Sequence, residues 1–401
     1  MIDIVFYFQV HQPYRLRKWK PADRIKKLDF FDDPLNRLVA ERVAARGYLP
    51  MNKLLLDAID RTDGQFRCAF SLSGTVIQQL RDWVPDALDS FVQLAETGCV
   101  EFLCETSQHS LAAVVDLDEF ADQVAIQRRT VTDLFGEPTS FRDTELILDN
   151  TICKKVEELG FECMLGEGAD RLLAWRSPQV PYRPKGCSTL KLLLRSYSLS
   201  DDIAFRFSNR KWPSFPLFAD TYAGWLHEVP PPAQFVGLFM DYETFGEHQG
   251  EQTGILEFMR YLPEQVLQDP SFRFRTPAQV AAERAVIGDL DIPTPVSWAD
   301  VERNLSAWLG NPMQRAAHAA IYAMRKDVLL LADRRPDLLA AWRQFTTSDH
   351  VYYCATKHHS DAEVHEYFSP YDSPHAAFVT LMTALDHLRE QVGRAAEKSK
   401  Q

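Results

Sequence analysis

Short apolar runs recur along the chain, each followed by polar residues and then by a stretch with apolar residues at helical spacing. Seven stand out: "IDIVFYFQV" (2–10), "FRCAFSL" (66–72), "VEFLC" (100–104), "TSFRDT" (139–144), "FECMLG" (161–166), "LKLLLRS" (190–196) and "FVGLFM" (235–240). Between several of them lie periodic segments such as "LDSFVQLAETG" and "EFADQVAIQRRTVTDLFG", closed by a glycine as helices often are. Strand, helix and strand in repetition predict parallel strands joined by crossover helices. Runs with little polar alternation predict a sheet covered on both faces. Seven strands are one short of the usual eight-stranded barrel. The pattern therefore predicts an α/β fold, an incomplete seven-stranded (β/α)7 parallel barrel, with an open doubly wound sheet as the alternative.

After about residue 275 the pattern turns helical. "TPAQV" offers Thr276 as N-cap and Pro277 at the first helical position. "SWADVERNLSAWLG", "MQRAAHAAIYAMRKDVLLLA" and "DSPHAAFVTLMTALDHLREQV" read as helices, with Ser297 and Ser373 as caps. "IGDLDIPTPVS" reads as a connector, and the tail "GRAAEKSKQ" as a frayed end. Two domains are expected: a barrel over 1–285 and a C-terminal helical bundle over 286–401.

Composition narrows the function. A net charge of -12 argues against nucleic acid or an anionic membrane as partner, since phosphate binding needs a basic surface. No apolar stretch approaches the length of a membrane span. The seven cysteines are odd in number, irregularly spaced and without a CxxC pair, which fits reduced thiols in a cytoplasmic protein better than a disulfide framework or zinc site. "MIDIVFYFQVHQP" lacks the basic segment and cleavage site of a signal peptide and reads as the first strand.

In such a sheet reactive groups gather at the C-terminal ends of the strands. The first predicted strand ends in His11-Gln12-Pro13, the third in Glu105, the fourth in Arg142, Asp143, Thr144 and Glu145, and the seventh in Asp241 and Glu243. Glu145 and Asp241 thus stand at the ends of two different strands. An acid/base pair needs that arrangement, with one carboxyl ionised and the other holding its proton. Glu243 is positioned to raise the pKa of Asp241 by like-charge repulsion. Taken singly, each acid is equally explained by a salt bridge or a helix cap. These features define a barrel enzyme with carboxylates and name no substrate.

Several long motifs in order carry more. "FRDTELI" (141–147) and "FMDYETFGEHQ" (239–249) resemble the two catalytic motifs of glycoside hydrolase family 57, in its α-amylase branch. "HQP" (11–13) resembles that family's first signature and "GCVEFLCETSQHSLA" (98–112) its second. "SWADVERNLSAWLGN" and "TSDHVYYCATKHHSDAEVHEYFSPYDSP" resemble its later ones, so that the likeness covers nearly the whole chain. The resemblance implies a seven-stranded barrel followed by a helical bundle that contributes to the active-site cleft. It implies retaining cleavage of α-1,4-glucosidic bonds in maltooligosaccharides or α-glucans, with no cofactor and no metal. Glu145 takes the nucleophile's place and Asp241 the acid/base place. His11, Glu101, Glu243 and Asp349 fall on sugar-binding positions, Glu105, His109 and Arg142 sit in or beside the motifs, and Trp308 and Tyr352 are candidate stacking platforms.

Three departures bear on affinity for long glucans. Ser107 and Gln108 stand where aromatics are common, Gly250 where a Trp is common, and Asp143 replaces an Asn, adding a charge beside Glu145. The same catalytic pair would also serve a 4-α-glucanotransferase or branching enzyme, and the lost aromatics keep a non-catalytic glucan-binding protein in view. A metal-dependent deacetylase would need ligands among His11, His109, His248 and His358-His359, but no HxxxH or HExxH spacing offers two imidazoles on one helix face.

Overall fold

A computed structural model describes residues 1–25, 27–357 and 369–398 of the chain. All seven predicted strands form: β1 (Ile2–Val10), β2 (Cys68–Leu72), β3 (Val100–Phe102), β4 (Ser140–Arg142), β5 (Cys163–Glu167), β7 (Lys191–Arg195) and β8 (Phe235–Asp241). Three more were not legible as strands, namely β6 (Tyr182–Pro184), β9 (Phe272–Phe274) and β10 (Gly288–Leu290). Each is three residues long and lies outside the apolar runs that mark the other strands. The last lies inside the expected connector and pairs with β6.

The seven longer-range strands run parallel in the order β3-β2-β1-β8-β7-β5-β4, a nearly closed barrel. Pairing is continuous along β1–β8, from Asp3 opposite Phe235 to Gln9 opposite Asp241. Two seams are thin. β7 meets β8 through the single pair Arg195 and Gly237. β3 meets β4 just beyond its end, where Cys104 N donates to Ser140 O (3.0 Å) and Arg142 N donates to Cys104 O (2.9 Å).

Side chains alternate across each strand. Val5, Tyr7, Ala69, Cys163, Leu165, Leu193, Phe235 and Phe239 fill the barrel interior, while Ile4, Phe6, Phe8 and Val10 pack outward against the helices. Above the apolar interior lies a polar layer. The Tyr7 hydroxyl donates to Gln9 Oε1 (2.7 Å), Ser71 Oγ does the same (2.7 Å), and Gln9 Nε2 donates to Glu105 Oε1 (3.0 Å). The opposite end is closed by the helix Pro277–Glu283, with Thr276 as its N-cap as expected and Gln279 completing a capping box, and by Asp3, which accepts from Arg273 and Arg284.

The helical region holds Pro312–Tyr322, Arg325–Leu330, Pro336–Phe345 and Pro374–Lys398. Its core residues Trp308, Trp342, Leu381 and Leu385 are continuous with Phe120, Phe141 and Leu148 on the barrel side. Ser373 Oγ accepts from Ala376 N (3.1 Å) and caps the last helix. That helix runs on to Lys398, through most of the segment expected to fray. Ser297 caps no helix: its hydroxyl donates to Asn304 O (2.8 Å) and accepts from Ala299 N (3.3 Å), and residues 298–305 form turns and bends. All seven cysteines are free and buried. Among the described residues no helix is long and apolar enough to cross a membrane.

Candidate active site

The chain leaves β4 through a strained turn. Glu145 (φ 56°) and Leu146 (φ 51°) both occupy the left-handed region, which costs non-glycine residues energy and persists where surroundings enforce it. Here Leu146 is fully buried, and Trp298 N donates to Glu145 O (3.1 Å). The turn presents the Glu145 carboxylate at the barrel mouth. Oε1 accepts from His109 Nε2 (3.0 Å) and Oε2 from Trp298 Nε1 (2.5 Å). Burial alone would raise its pKa. The hydrogen bond and charge of His109, the charge of Arg142 and the Trp298 bond outweigh burial and lower it, so Glu145 is ionised.

His109 follows β3 and also has a left-handed backbone (φ 51°). Its Nδ1 meets Glu105 Oε2 at 2.9 Å, so the ring bridges two carboxylates. Burial disfavours its charge, but the two carboxylates prevail and push its pKa up to about 9. His11, at the end of β1, stacks on this ring at 3.9 Å. Burial, then the neighbouring His109 charge, lowers the pKa of His11. Its Nδ1 contacts Ser73 Oγ (2.7 Å) and its Nε2 contacts Asp349 Oδ2 (2.9 Å) from the helical region. Burial opposes charge on Asp349, yet His11 opposite and His109 behind hold it below the usual carboxylate range.

Asp241 closes β8 on the far side. Burial, and next the charge of Glu145, push its pKa up to about 6, against the pull of Arg142, His109 and Arg195. The two carboxyls therefore sense each other. Glu243 accepts from the Tyr48 hydroxyl and from His11 N, and burial followed by Asp241 pushes it up to about 8. A group protonated at neutral pH repels little, so the like-charge push on Asp241 comes from Glu145 and not from Glu243. Asp143 is likewise corrected: burial raises it to about 8, and it adds little charge beside Glu145 at neutral pH.

Arg142 is fully buried, and none of its three guanidinium nitrogens has a hydrogen-bond acceptor within the described residues. It lies over the Trp298 ring at 4.9 Å, and Arg195 lies over the same ring at 5.6 Å. Trp298 escaped the sequence reading, which singled out its segment but named Trp308; only the fold brings Trp298 to Glu145.

His11, His109, Arg142, Glu145, Asp241, Glu243 and Asp349 thus gather at one mouth. Glu101 does not join them. It lies on β3 toward the other end of the barrel, where its Oε2 accepts from Ala278 N (2.8 Å). Glu105 sits behind the site with no exposure, both oxygens taken by Gln9 and His109, which leaves no route to a sugar hydroxyl. Trp308 is 1% exposed in the helical core and offers no platform; Tyr352 packs on it at 6.3 Å. Among the described residues no three His, Cys, Asp or Glu side chains are arranged to hold a metal ion, and His358 and His359 lie outside those residues.

A parallel barrel with two carboxyls at its mouth, one lowered in pKa and the other raised to about 6, is an arrangement that suits glycoside cleavage. The sequence profile of Glycosyl hydrolase family 57 matches residues 5–290. The chain is 38% identical over 394 residues to a protein of Methanocaldococcus jannaschii named "Putative alpha-amylase", covering 95% of this chain and 83% of that one. The chain belongs to glycosyl hydrolase family 57 and is a glycoside hydrolase. Its fold matches the family 57 branching enzyme of Pyrococcus horikoshii with a TM-score of 0.68 at 14% identity, over 99% of this chain and 91% of that one. It also matches the 4-alpha-glucanotransferase of Thermococcus litoralis (TM-score 0.59, 15% identity), covering 91% of this chain but spanning only 54% of that longer one.

Proposed function

We propose that the protein is a retaining, α-amylase-type hydrolase of α-1,4-glucosidic bonds in maltooligosaccharides or α-glucans, acting in the cytoplasm. The observation that carries this reading is the split between two carboxyls sharing one mouth: Glu145 is ionised by three donors and cations, and Asp241 is kept protonated into the mildly acidic range. The α-amylase name of the Methanocaldococcus relative supports the substrate class.

In the first half-reaction Asp241 gives its proton to the glycosidic oxygen, the C1–O bond breaks, and Glu145 forms a new bond to C1 as a β-glucosyl ester. In the second, Asp241 takes a proton from water, the water oxygen bonds to C1, and Glu145 leaves as carboxylate. The two inversions return the α configuration. His11, Asp349 and Glu243 line the mouth and are assigned to sugar hydroxyls, whereas the fully buried Arg142 acts from beneath as a positive charge that helps keep Glu145 ionised. The barrel (1–285) carries the pair, and the helical region (286–401) supplies Asp349.

Incubation with maltoheptaose tests the reading. Shorter sugars released as the α anomer, observed by NMR before mutarotation, are expected. Longer products alongside them would reassign the chain to glucan transfer, β-anomeric products would exclude a retaining mechanism, and an unchanged substrate would leave binding alone. A carboxyl separation of about 5–5.5 Å is expected in a sugar complex.

A further inference from the structure

Glu105 is a buried acid that the reaction above does not use, and its surroundings give it a task. We propose that Glu105 and His109 form a fixed cationic clamp behind Glu145, in which His109 is a positioning residue that speeds the departure of Glu145 from the sugar in the second half-reaction. The inference rests on the retaining reading just given.

The geometry leaves the His109 ring little freedom. Glu105 Oε2 holds Nδ1 at 2.9 Å and Glu145 Oε1 holds Nε2 at 3.0 Å. Both nitrogens therefore face carboxylate oxygens, which accept and do not donate, and only the imidazolium satisfies both. Glu105 is itself fixed, with its second oxygen on Gln9 Nε2 at 3.0 Å. His109 and His11 stack face to face, and His109 is 1% exposed, so neither water nor ring rotation relieves the arrangement.

The charged groups around the ring come from every neighbouring element. Glu105 lies on its own segment and His11 at the end of β1. Arg142 ends β4, Asp143 and Glu145 follow it, Asp241 ends β8, and Asp349 comes from the helical region. Of these, Arg142 opposes the ring's charge, and Glu105 and Glu145 hydrogen-bond to it directly.

The clamp acts unequally on the two half-reactions. In the first, the Glu145 carboxylate spends electron density on C1, and a cation at its oxygen weakens it as a nucleophile. In the second, the ester bond to C1 breaks, the electron pair returns to Glu145, and the waiting cation stabilises the carboxylate that forms. A neutral residue in place of His109 would leave a more basic Glu145 that departs more slowly. The balance shifts toward a longer-lived glycosyl-enzyme.

Two measurements on the intact chain test this. With 15N-labelled histidine, the His109 nitrogens are expected to keep imidazolium shifts at pH 7.5 and to become titratable near neutrality in Glu105→Gln. A neutral His109 in the unsubstituted protein would overturn the clamp, whether or not the protein turns over glucans. In stopped-flow assays with α-maltosyl fluoride, His109→Gln is expected to slow deglycosylation about tenfold or more relative to glycosylation, as loss of a charge-assisted bond would. The burst of fluoride should then grow toward one equivalent. Glu105→Gln, closer in shape, is expected to move the same way by a smaller factor, and equal slowing of both steps in folded variants would overturn the proposal. If the unsubstituted protein fails to turn over maltoheptaose, the glycosidase reading itself falls, and the nitrogen titration still decides the clamp.

Discussion

His11 Nε2 and Asp349 Oδ2 meet at 2.9 Å across 338 residues of chain. One belongs to the first strand of the barrel and the other to a short helix of the C-terminal region, so this contact is where the two parts share the mouth. Asp349→Ala removes the acceptor from a largely buried ring and is expected to cost about 1–3 kcal/mol of stability. His11 also loses its orientation, and KM for maltoheptaose should rise by more than kcat falls. Calorimetry and initial rates check the two effects, and Asp349→Asn should restore part of both.

The pair of carboxyls predicts the activity profile. In the proposed reaction Glu145 acts as the anion and Asp241 as the acid, and Asp241 has been pushed up to about 6. As pH rises through that value Asp241 loses its proton, and kcat/KM for maltoheptaose is expected to fall. The apparent value belongs to the coupled pair. Glu145→Gln removes the charge that helps raise Asp241 and should cost at least about a thousandfold in kcat while leaving the melting temperature unchanged or higher. Asp241→Asn should lose turnover in the same way with substrates whose leaving group needs a proton, and much less with glycosyl fluorides.

Trp298→Phe separates the ring from its hydrogen bond. The phenyl group still lies near Arg142, but Glu145 Oε2 loses its donor. A fall in kcat of about 10- to 100-fold with little change in KM is expected if Glu145 attacks as proposed, since the lost bond orients and stabilises its carboxylate. Steady-state kinetics on maltoheptaose checks the split.

Asp143 gives a stability prediction with a definite sign. Its folded pKa is raised to about 8, whereas the unfolded chain ionises near the ordinary aspartate value of about 4. Its contribution is therefore fully present below about pH 4 and is lost as pH rises toward 8, at no more than about 1.4 kcal/mol per pH unit. Asp143→Asn escapes this loss. The melting temperature of the variant relative to the unsubstituted protein is expected to climb steadily between pH 5 and pH 8, and a constant difference would show that Asp143 is already ionised in the fold.

The barrel was legible because its long strands are apolar on both faces; β1 and β8 carry runs that no solvent-facing strand would tolerate. β6 and β10 were not, since "YRP" and "GDL" contain residues that local preference assigns to turns, and pairing within the sheet makes them strands. At the site, the placing of Glu145 and Asp241 at one mouth was legible because Asp241 closes one strand and Glu145 follows the end of another in the same parallel sheet. The protonation of Asp143 and Glu243 was invisible, because it depends on burial by residues far away in the chain. Trp298 and Trp308 show the same limit. Both lie in one motif ten residues apart, and the direction each indole takes is decided by packing that spacing does not encode.

The two thin seams of the barrel divide its ring into a pair of jaws. One comprises β4, β5 and β7 and carries Glu145; the other comprises β8, β1, β2 and β3 and carries Asp241. Each acid is fixed to the strands of its own jaw, so the span between the acids depends on how the jaws meet along the seams. His109, rooted behind β3 and bonded to Glu145 beyond β4, is a tie rod across one of those seams, so the contact that lowers the Glu145 pKa also bridges the two jaws.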